Sequence, residues 1–177
     1  MKKILIVIDM QNDFISGSLG SKEAQAIVSN VKQKIKEYEY DGDEIIFTRD
    51  THTSQYLQTL EGSYLPVKHC IEGTPGWLIC DELDNGVGYP VINKYTFGFD
   101  GWVHHDFEER GFDEIELVGL CTDICVVSNT LMLRALFPNI RIRVDASCCA
   151  GTSVEAHNAA LTVMKSCQIE IHNEKAV

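Results

Sequence analysis

Short apolar runs rich in β-branched residues alternate with stretches where apolar residues return every three or four positions. This alternation predicts strands followed by helices. Lys3–Ile8 is almost continuously apolar, as a strand buried on both faces requires. Ala24, Ile27, Val28, Val31, Ile35 and Tyr38 then share one helical face, with Ser21 available as N-cap. Glu44–Thr48 and Pro90–Asn93 read as the second and third strands, and Val103–Arg110 as a helix stopped by Gly111. Glu114–Gly119 is a fourth strand, followed by a helix from about Asp123 to Phe137 with Pro138 just past its end. Ile140, Ile142 and Val144 alternate with Arg141 and Arg143, the pattern of a strand nearer the sheet edge. Val154–Cys167 gives a last helix, Gln168–His172 a last strand, and Asn173–Val177 a frayed end.

Six strands alternating with helices predict an α/β fold: a three-layer, doubly wound, mostly parallel six-stranded sheet with helices on both faces. The length of 177 residues, without a visible linker or repeat, suits a single domain spanning 1–177. The segment from Asp50 to Leu83 departs from the pattern. It is long, contains glycine and is weakly periodic, and such loops in compact domains are often functional.

Composition narrows the classes. With 45% hydrophobic and 23% charged residues the chain is an ordinary globular one. The longest apolar run, Ile4–Ile8, is far short of the roughly 20 residues of a membrane span, so no membrane association is expected. Met1-Lys2-Lys3 begins like a signal peptide, but Asp9 ends the apolar stretch early and no small-residue cleavage site follows. A net charge of −11 opposes phosphate binding, which argues against nucleic acid as a partner. Seven cysteines, an odd and scattered set, read as reduced thiols of a cytoplasmic protein.

Sheets of this kind bind ligands at the carboxyl ends of their strands. Asp9 closes the first strand, Asp50 lies two residues beyond the second, Lys94 follows the third, and Cys125 opens the helix after the fourth. In a first helical turn, free N–H groups and the positive dipole end favour a thiolate and can hold an oxyanion. Asp9 is a candidate acceptor of the thiol proton and Lys94 a stabiliser of the charges. A second constellation is Asp50-Thr51-His52 with Glu61 and His69, a carboxylate and imidazole set suited to a divalent transition metal. Taken one at a time, each residue also has a plainer reading. A free cysteine is commonly a small buried hydrophobe, Asp9 a cap, Lys94 a solvated charge, and a lone histidine a hydrogen-bonded surface residue. Cys121 can form a disulfide with Cys125 or contribute backbone to the site. Cys148-Cys149 reads as buried packing, His104-His105 as a solvated face, and Asp145 as a turn residue at a strand end. His157 and His172 show no partner set.

Five segments together resemble the isochorismatase-like cysteine hydrolase superfamily, and within it the nicotinamidase branch. They are Ile8-Asp-Met-Gln-Asn-Asp-Phe14, Thr48-Arg-Asp-Thr-His52, His69-Cys-Ile-Glu-Gly-Thr74, Asn93-Lys94 and Gly119-Leu-Cys-Thr-Asp-Ile-Cys125. The resemblance runs from residue 4 to about residue 153, in family order, and its specificity lies in the joint match. It implies an Asp9–Lys94–Cys125 triad in which Cys125 attacks an amide carbonyl, Asp9 shuttles the proton to departing ammonia, and water hydrolyses the thioester. It further implies an oxyanion hole from the N–H groups of Cys121 and Cys125, with a cis peptide at Leu120–Cys121. Asp50, His52 and His69 match the metal motif. A further histidine common in relatives is missing from Thr53–Thr59, and Glu61 stands in as the substitute. Zinc is the expected ion, with manganese or iron as alternatives, orienting the substrate's pyridine nitrogen.

Phe14 matches an aromatic wall of the substrate pocket. Leu65 stands where relatives often place tryptophan, which leaves stacking to Phe14 and Phe97. The implied activity is hydrolysis of nicotinamide to nicotinate and ammonia, by a homo-oligomer acting on a small-molecule amide. Another superfamily amidase, acting on a carbamoyl, ureido or other amide, is the alternative. A non-catalytic thiol redox or metal-binding protein is the reading from a different class.

Overall fold

The alternating pattern becomes one six-stranded sheet in the computed structural model, which describes residues 1–83 and 88–174. The strands are β1 (Lys3–Ile8), β2 (Glu44–Asp50), β3 (Val91–Lys94), β4 (Glu114–Leu120), β5 (Arg141–Ala150) and β6 (Glu170–His172). The helices are α1 (Asn12–Ile15), α2 (Lys22–Asp41), α3 (Leu60–Tyr64), α4 (Val127–Leu136) and α5 (Val154–Ser166). The strands lie in the order β3-β2-β1-β4-β5-β6 and every neighbouring pair is parallel. The chain winds outward from β1 to β3, returns to the middle, and winds outward again from β4 to β6. The winding therefore reverses between β1 and β4, and open α/β sheets place their ligands in the crevice beyond such a reversal.

Because side chains alternate along a strand, the apolar run of β1 feeds both faces. Ile4, Ile6 and Ile8 join a core with Leu133 of α4 and Leu161 and Met164 of α5. Leu5 and Val7 face the other way and pack with Ile27, Val28, Val31 and Ile35 of α2. Ser21 caps α2 by accepting from the Ala24 N–H, and Gly42 ends it in the left-handed region at φ 74. No helix among the described residues is long and apolar enough to cross a membrane.

Several elements differ from the sequence pattern, each for a local reason. The helix expected over Val103–Arg110 is a short 3-10 turn at Asp100–His104 followed by turns. Trp102 and Phe107 are both fully buried. They are five residues apart, about 140° round an α-helix, so no single helical face can bury both. Within these turns His105, expected on a solvated face, packs on the rings of Trp102 and Phe107 at 5.1 and 5.2 Å. The helix expected from Asp123 begins instead as a π-type turn over Thr122–Val126, where the Val126 N–H reaches the Cys121 carbonyl at 3.1 Å.

β5 continues well past Val144, so Asp145 lies within a strand rather than in a turn. Buried there, it accepts from Lys34 at 2.9 Å and from Asn173 at 2.8 Å. Asn173 is thus tied down, while the rest of the expected frayed end, beyond residue 174, lies outside the described residues. His157 has a partner after all: its Nδ1 lies 2.7 Å from the Thr122 hydroxyl.

The approach of β1 to β4 at the reversal depends on Gly119. Its φ is +121, and a Cβ there would sit 2.1 Å from the Ile8 carbonyl oxygen. We therefore expect Gly119→Ala to destabilise the fold by more than about 1 kcal/mol from backbone strain alone. The collision with Ile8 adds to this, and a lowered urea unfolding midpoint is the readout.

Candidate active site

β1 ends in a sharp departure from the sheet. Asp9 adopts φ 49, a region that non-glycine residues seldom occupy away from functional sites, and its carbonyl accepts from the Gln11 N–H at 2.7 Å. The turn swings the Asp9 carboxylate over the sheet end, where Oδ1 accepts from the Thr48 hydroxyl at 2.7 Å. Asp50 is the last residue of β2 rather than two residues beyond it, and its register partner is Lys94, the last residue of β3.

The Lys94 side chain is wholly buried, with Nζ 2.6 Å from Asp9 Oδ2. It also donates to Asp50 Oδ1 at 3.4 Å, to the Thr96 carbonyl at 3.2 Å and to Cys125 Sγ at 3.4 Å. Three of the sequence candidates, Asp9, Asp50 and Cys125, thus meet around the ammonium of a fourth.

Burial sets the protonation logic. It raises the Asp9 carboxyl above its ordinary 3.8, outweighing the attraction of Lys94. Burial works against the Lys94 ammonium, but Asp9, Cys125 and Asp50 outweigh it and hold the lysine charged. The Cys125 thiol, only 5% exposed, is pushed well above the usual 9.0 by burial and by Asp9 and Asp50, against the pull of Lys94. The helix-end thiolate expected from position alone is therefore replaced by a protonated thiol beside a carboxylate of raised basicity. That pairing suits proton transfer at the moment of attack.

The loop after β2 brings the second constellation to the same edge. One ligand atom from each of Asp50, His52, Glu61 and His69 lies within 4.8 Å of the others. Asp50 Oδ2 is 2.9 Å from His52 Nε2 and 3.6 Å from His69 Nε2. Glu61 Oε1 is 3.6 and 3.9 Å from the same nitrogens. Glu61 rides on α3, which Thr59 caps by accepting from the Gly62 N–H at 3.0 Å. A Cβ on Gly62 would lie 2.2 Å from the Tyr56 carbonyl, so only glycine lets this short helix close onto the preceding turn.

The donor set fits a divalent cation by its chemistry. His52 Nε2 is buried without a hydrogen-bond partner. The ring of His69 donates from Nδ1 to the Val67 carbonyl at 2.8 Å, leaving its Nε2 lone pair aimed at the cluster. Burial raises the Asp50 carboxyl, but the two imidazoles and Lys94 outweigh it and hold it low. Burial opposes protonation of His69, yet Asp50, the Val67 carbonyl and Glu61 raise it above 6.5.

The expected cis peptide is present at Leu120–Cys121. All seven cysteines are free, so the Cys121–Cys125 pair carries no disulfide, and burial pushes the Cys121 thiol up to about 12. Cys148 and Cys149 are buried. Phe14 is half-buried, with its ring 5.6 Å from that of His69. Leu65 and Phe97 are 38% and 46% exposed.

Sequence reasoning passed over several supporting residues. Asp13 Oδ2 accepts from the Cys70 N–H at 2.8 Å and fixes the backbone next to His69. Asn129, one turn after Cys125, donates to the Cys125 carbonyl at 2.7 Å and to the Phe97 carbonyl at 3.0 Å. Its Oδ1 accepts from the Phe99 N–H at 2.9 Å and the Trp102 indole at 2.8 Å. The four-residue spacing from Cys125 was the available signal for Asn129. Asp13 lies inside the first quoted segment, where nothing marked its role.

Comparison with known proteins agrees with this picture. Residues 3–174 match the family described as the isochorismatase domain. The nicotinamidase/pyrazinamidase of Mycobacterium tuberculosis is 29% identical, over 96% of this chain and 97% of that protein. The crystal structure of a nicotinamidase/pyrazinamidase from Bacillus subtilis is 26% identical, covers 98% of this chain and 100% of its own, and has a TM-score of 0.85. A pyrazinamidase of Pyrococcus horikoshii, solved in complex with zinc, is 25% identical with a TM-score of 0.84, over 97% of this chain and 98% of its own.

A donor set of this composition would give metal binding a definite pH response. The proton competes for His69 Nε2 already above 6.5, so acid must weaken binding. Zinc affinity, measured by chelator competition, should begin to fall above pH 6.5 and keep falling on further acidification. A flat profile would exclude His69 as a ligand.

Proposed function

The chain belongs to the isochorismatase family, and from that premise we propose that it is a nicotinamidase-like amide hydrolase. On this reading it converts nicotinamide and water to nicotinate and ammonia. The observation that carries the reading is the Lys94 ammonium, 2.6 Å from Asp9 and 3.4 Å from the Cys125 sulfur, at an edge shared with the four-residue cluster.

In the proposed mechanism Asp9 removes the Cys125 proton as Sγ attacks the carboxamide carbon. The raised basicity of Asp9 favours that transfer, and Lys94 keeps carboxylate and sulfur together. The oxyanion rests on the N–H groups of Cys121 and Cys125. Asp9 then hands its proton to the leaving nitrogen, ammonia departs, and water cleaves the thioester with Asp9 again as base. Asp50, His52, Glu61 and His69 would hold a divalent ion, zinc by preference, which would supply Lewis-acid attraction for a ring nitrogen. Phe14 stacks on the ring from the side of His69. Seven free thiols suit a reducing compartment such as the cytoplasm.

Ammonia release tests the reading directly. Purified protein should hydrolyse nicotinamide and pyrazinamide, and chelation of the metal should lower the rate. Cys125→Ala should abolish turnover with the fold intact, and Asp9→Asn should cost about 10²–10⁴-fold in kcat. Turnover of ureido or carbamoyl compounds but not of pyridine carboxamides would overturn the substrate assignment. Full activity of Cys125→Ala would overturn the mechanism.

A further inference from the structure

Gln11 occupies the N-cap position of α1 without capping it. Such positions favour Ser, Thr, Asp or Asn, whose short side chains reach the following N–H groups. The longer carboxamide of Gln11 reaches across to β2 instead. Its Oε1 accepts from the Asp50 N–H at 2.7 Å, and its Nε2 donates to the Asp50 carbonyl at 2.9 Å. The second hydrogen of Nε2 goes to the Trp77 carbonyl, also at 2.9 Å. The residue is fully buried, and both polar atoms of its carboxamide are engaged.

The ladder explains why this side chain is needed. Odd-numbered residues of β2 and its extension turn their backbone toward β3: the Phe47 N–H bonds the Pro90 carbonyl, and the Thr51 N–H bonds the Lys94 carbonyl. Even-numbered residues therefore face β1. The register of β1 with β2 runs from Ile4↔Glu44 to Val7↔Phe47, and β1 then turns away at Asp9. The N–H and C=O of Asp50 would be left unpaired in the interior, at the cost of a lost hydrogen bond each. The carboxamide of Gln11 supplies the rung that β1 withdrew.

Asp50 is the residue where this rung matters most. Its Oδ1 touches Lys94 and its Oδ2 faces His52 and His69. Fixing the Asp50 peptide on both sides fixes the direction of that carboxylate. Meanwhile the bond to Trp77 ties down the turn at Pro75–Trp77, beyond His69 in the chain.

We propose that Gln11 is a positioning residue: through its hydrogen bonds to the Asp50 backbone it pre-orients Asp50 as a ligand for the divalent ion. The inference rests on the metal-binding part of the function proposed above and is independent of which amide is hydrolysed. Loss of an outer partner of a metal ligand characteristically weakens binding by about 10–100-fold.

The test is the zinc affinity of the full-length, metal-stripped protein, titrated with Zn²⁺ against a chromophoric chelator and without substrate. Gln11→Met keeps the length and packing and removes all three hydrogen bonds. Gln11→Asn keeps the chemistry but is one methylene too short. Both should bind zinc about 10–100-fold more weakly than wild type. Asn30→Ala, which deletes a remote bond to the Ser147 carbonyl, should leave the affinity unchanged. A purely structural role would lower the Tm of the Gln11 variants while leaving the zinc affinity of the folded protein at the wild-type value. That result in either folded variant would overturn the inference. Wild-type protein that binds no zinc would overturn it together with the metal reading. Protein that binds zinc but hydrolyses no pyridine carboxamide would remove only the substrate assignment.

Discussion

A lysine ammonium sealed from water is tolerable only when opposite charge surrounds it, because an isolated buried charge costs far more than a domain's net stability. Lys94 satisfies that condition by standing between Asp9 and Asp50, with the Cys125 sulfur as a further neighbour. The rest of the site follows from this arrangement. Two carboxylates converge because the ammonium between them offsets their mutual repulsion. The sulfur is held against a positive charge, and the pair Asp50–Lys94 joins the proposed nucleophilic centre to the cluster of His52, Glu61 and His69.

The fold makes that convergence possible by strand order. Asp9, Asp50, Lys94 and Cys125 arise from four consecutive strands in the sequence, but the reversal of winding places β1 and β4 side by side, with β2 and β3 beyond β1. All four strands are parallel, so all four ends lie on one edge, and short departures from regular structure aim the side chains. Asp9 leaves the sheet at a positive φ, and the π-type turn at Thr122–Val126 presents Cys125 from an irregular first turn rather than a regular helix. Irregular turns of this kind concentrate at functional sites.

Burial gives the site its protonation state. It favours the neutral thiol and makes Asp9 a better proton acceptor than a solvated carboxylate. On the proposed mechanism negative charge then develops on the sulfur and passes to the carbonyl oxygen only as the substrate is attacked, when partners for it are in place. The same burial acts differently on Asp50, where two imidazoles and the ammonium keep the carboxylate charged. Two acids at the ends of neighbouring strands thus take different roles because their neighbours differ.

The amino-acid sequence alone was enough for the α/β architecture, since apolar runs such as Lys3–Ile8 and the helical stripe from Ala24 to Tyr38 are local patterns that local geometry converts into elements. The residues that meet at the candidate site were also legible, because complementary reactive types recur at several strand ends and their segments jointly match one superfamily. Other features depended on contacts between segments far apart in the chain. The turn at Asp100–His104 replaces a helix because Trp102 and Phe107 must both enter the core. β5 runs on past Asp145, and that carboxylate meets Lys34 of α2. Gln11 engages the Asp50 backbone from a segment 39 residues away, a contact that periodicity does not mark. The sequence determined which elements form and which reactive groups the chain carries, because those depend on neighbours along the chain. The tertiary structure decided how the groups are charged and held, because burial and hydrogen-bond partners exist only once the strands have assembled.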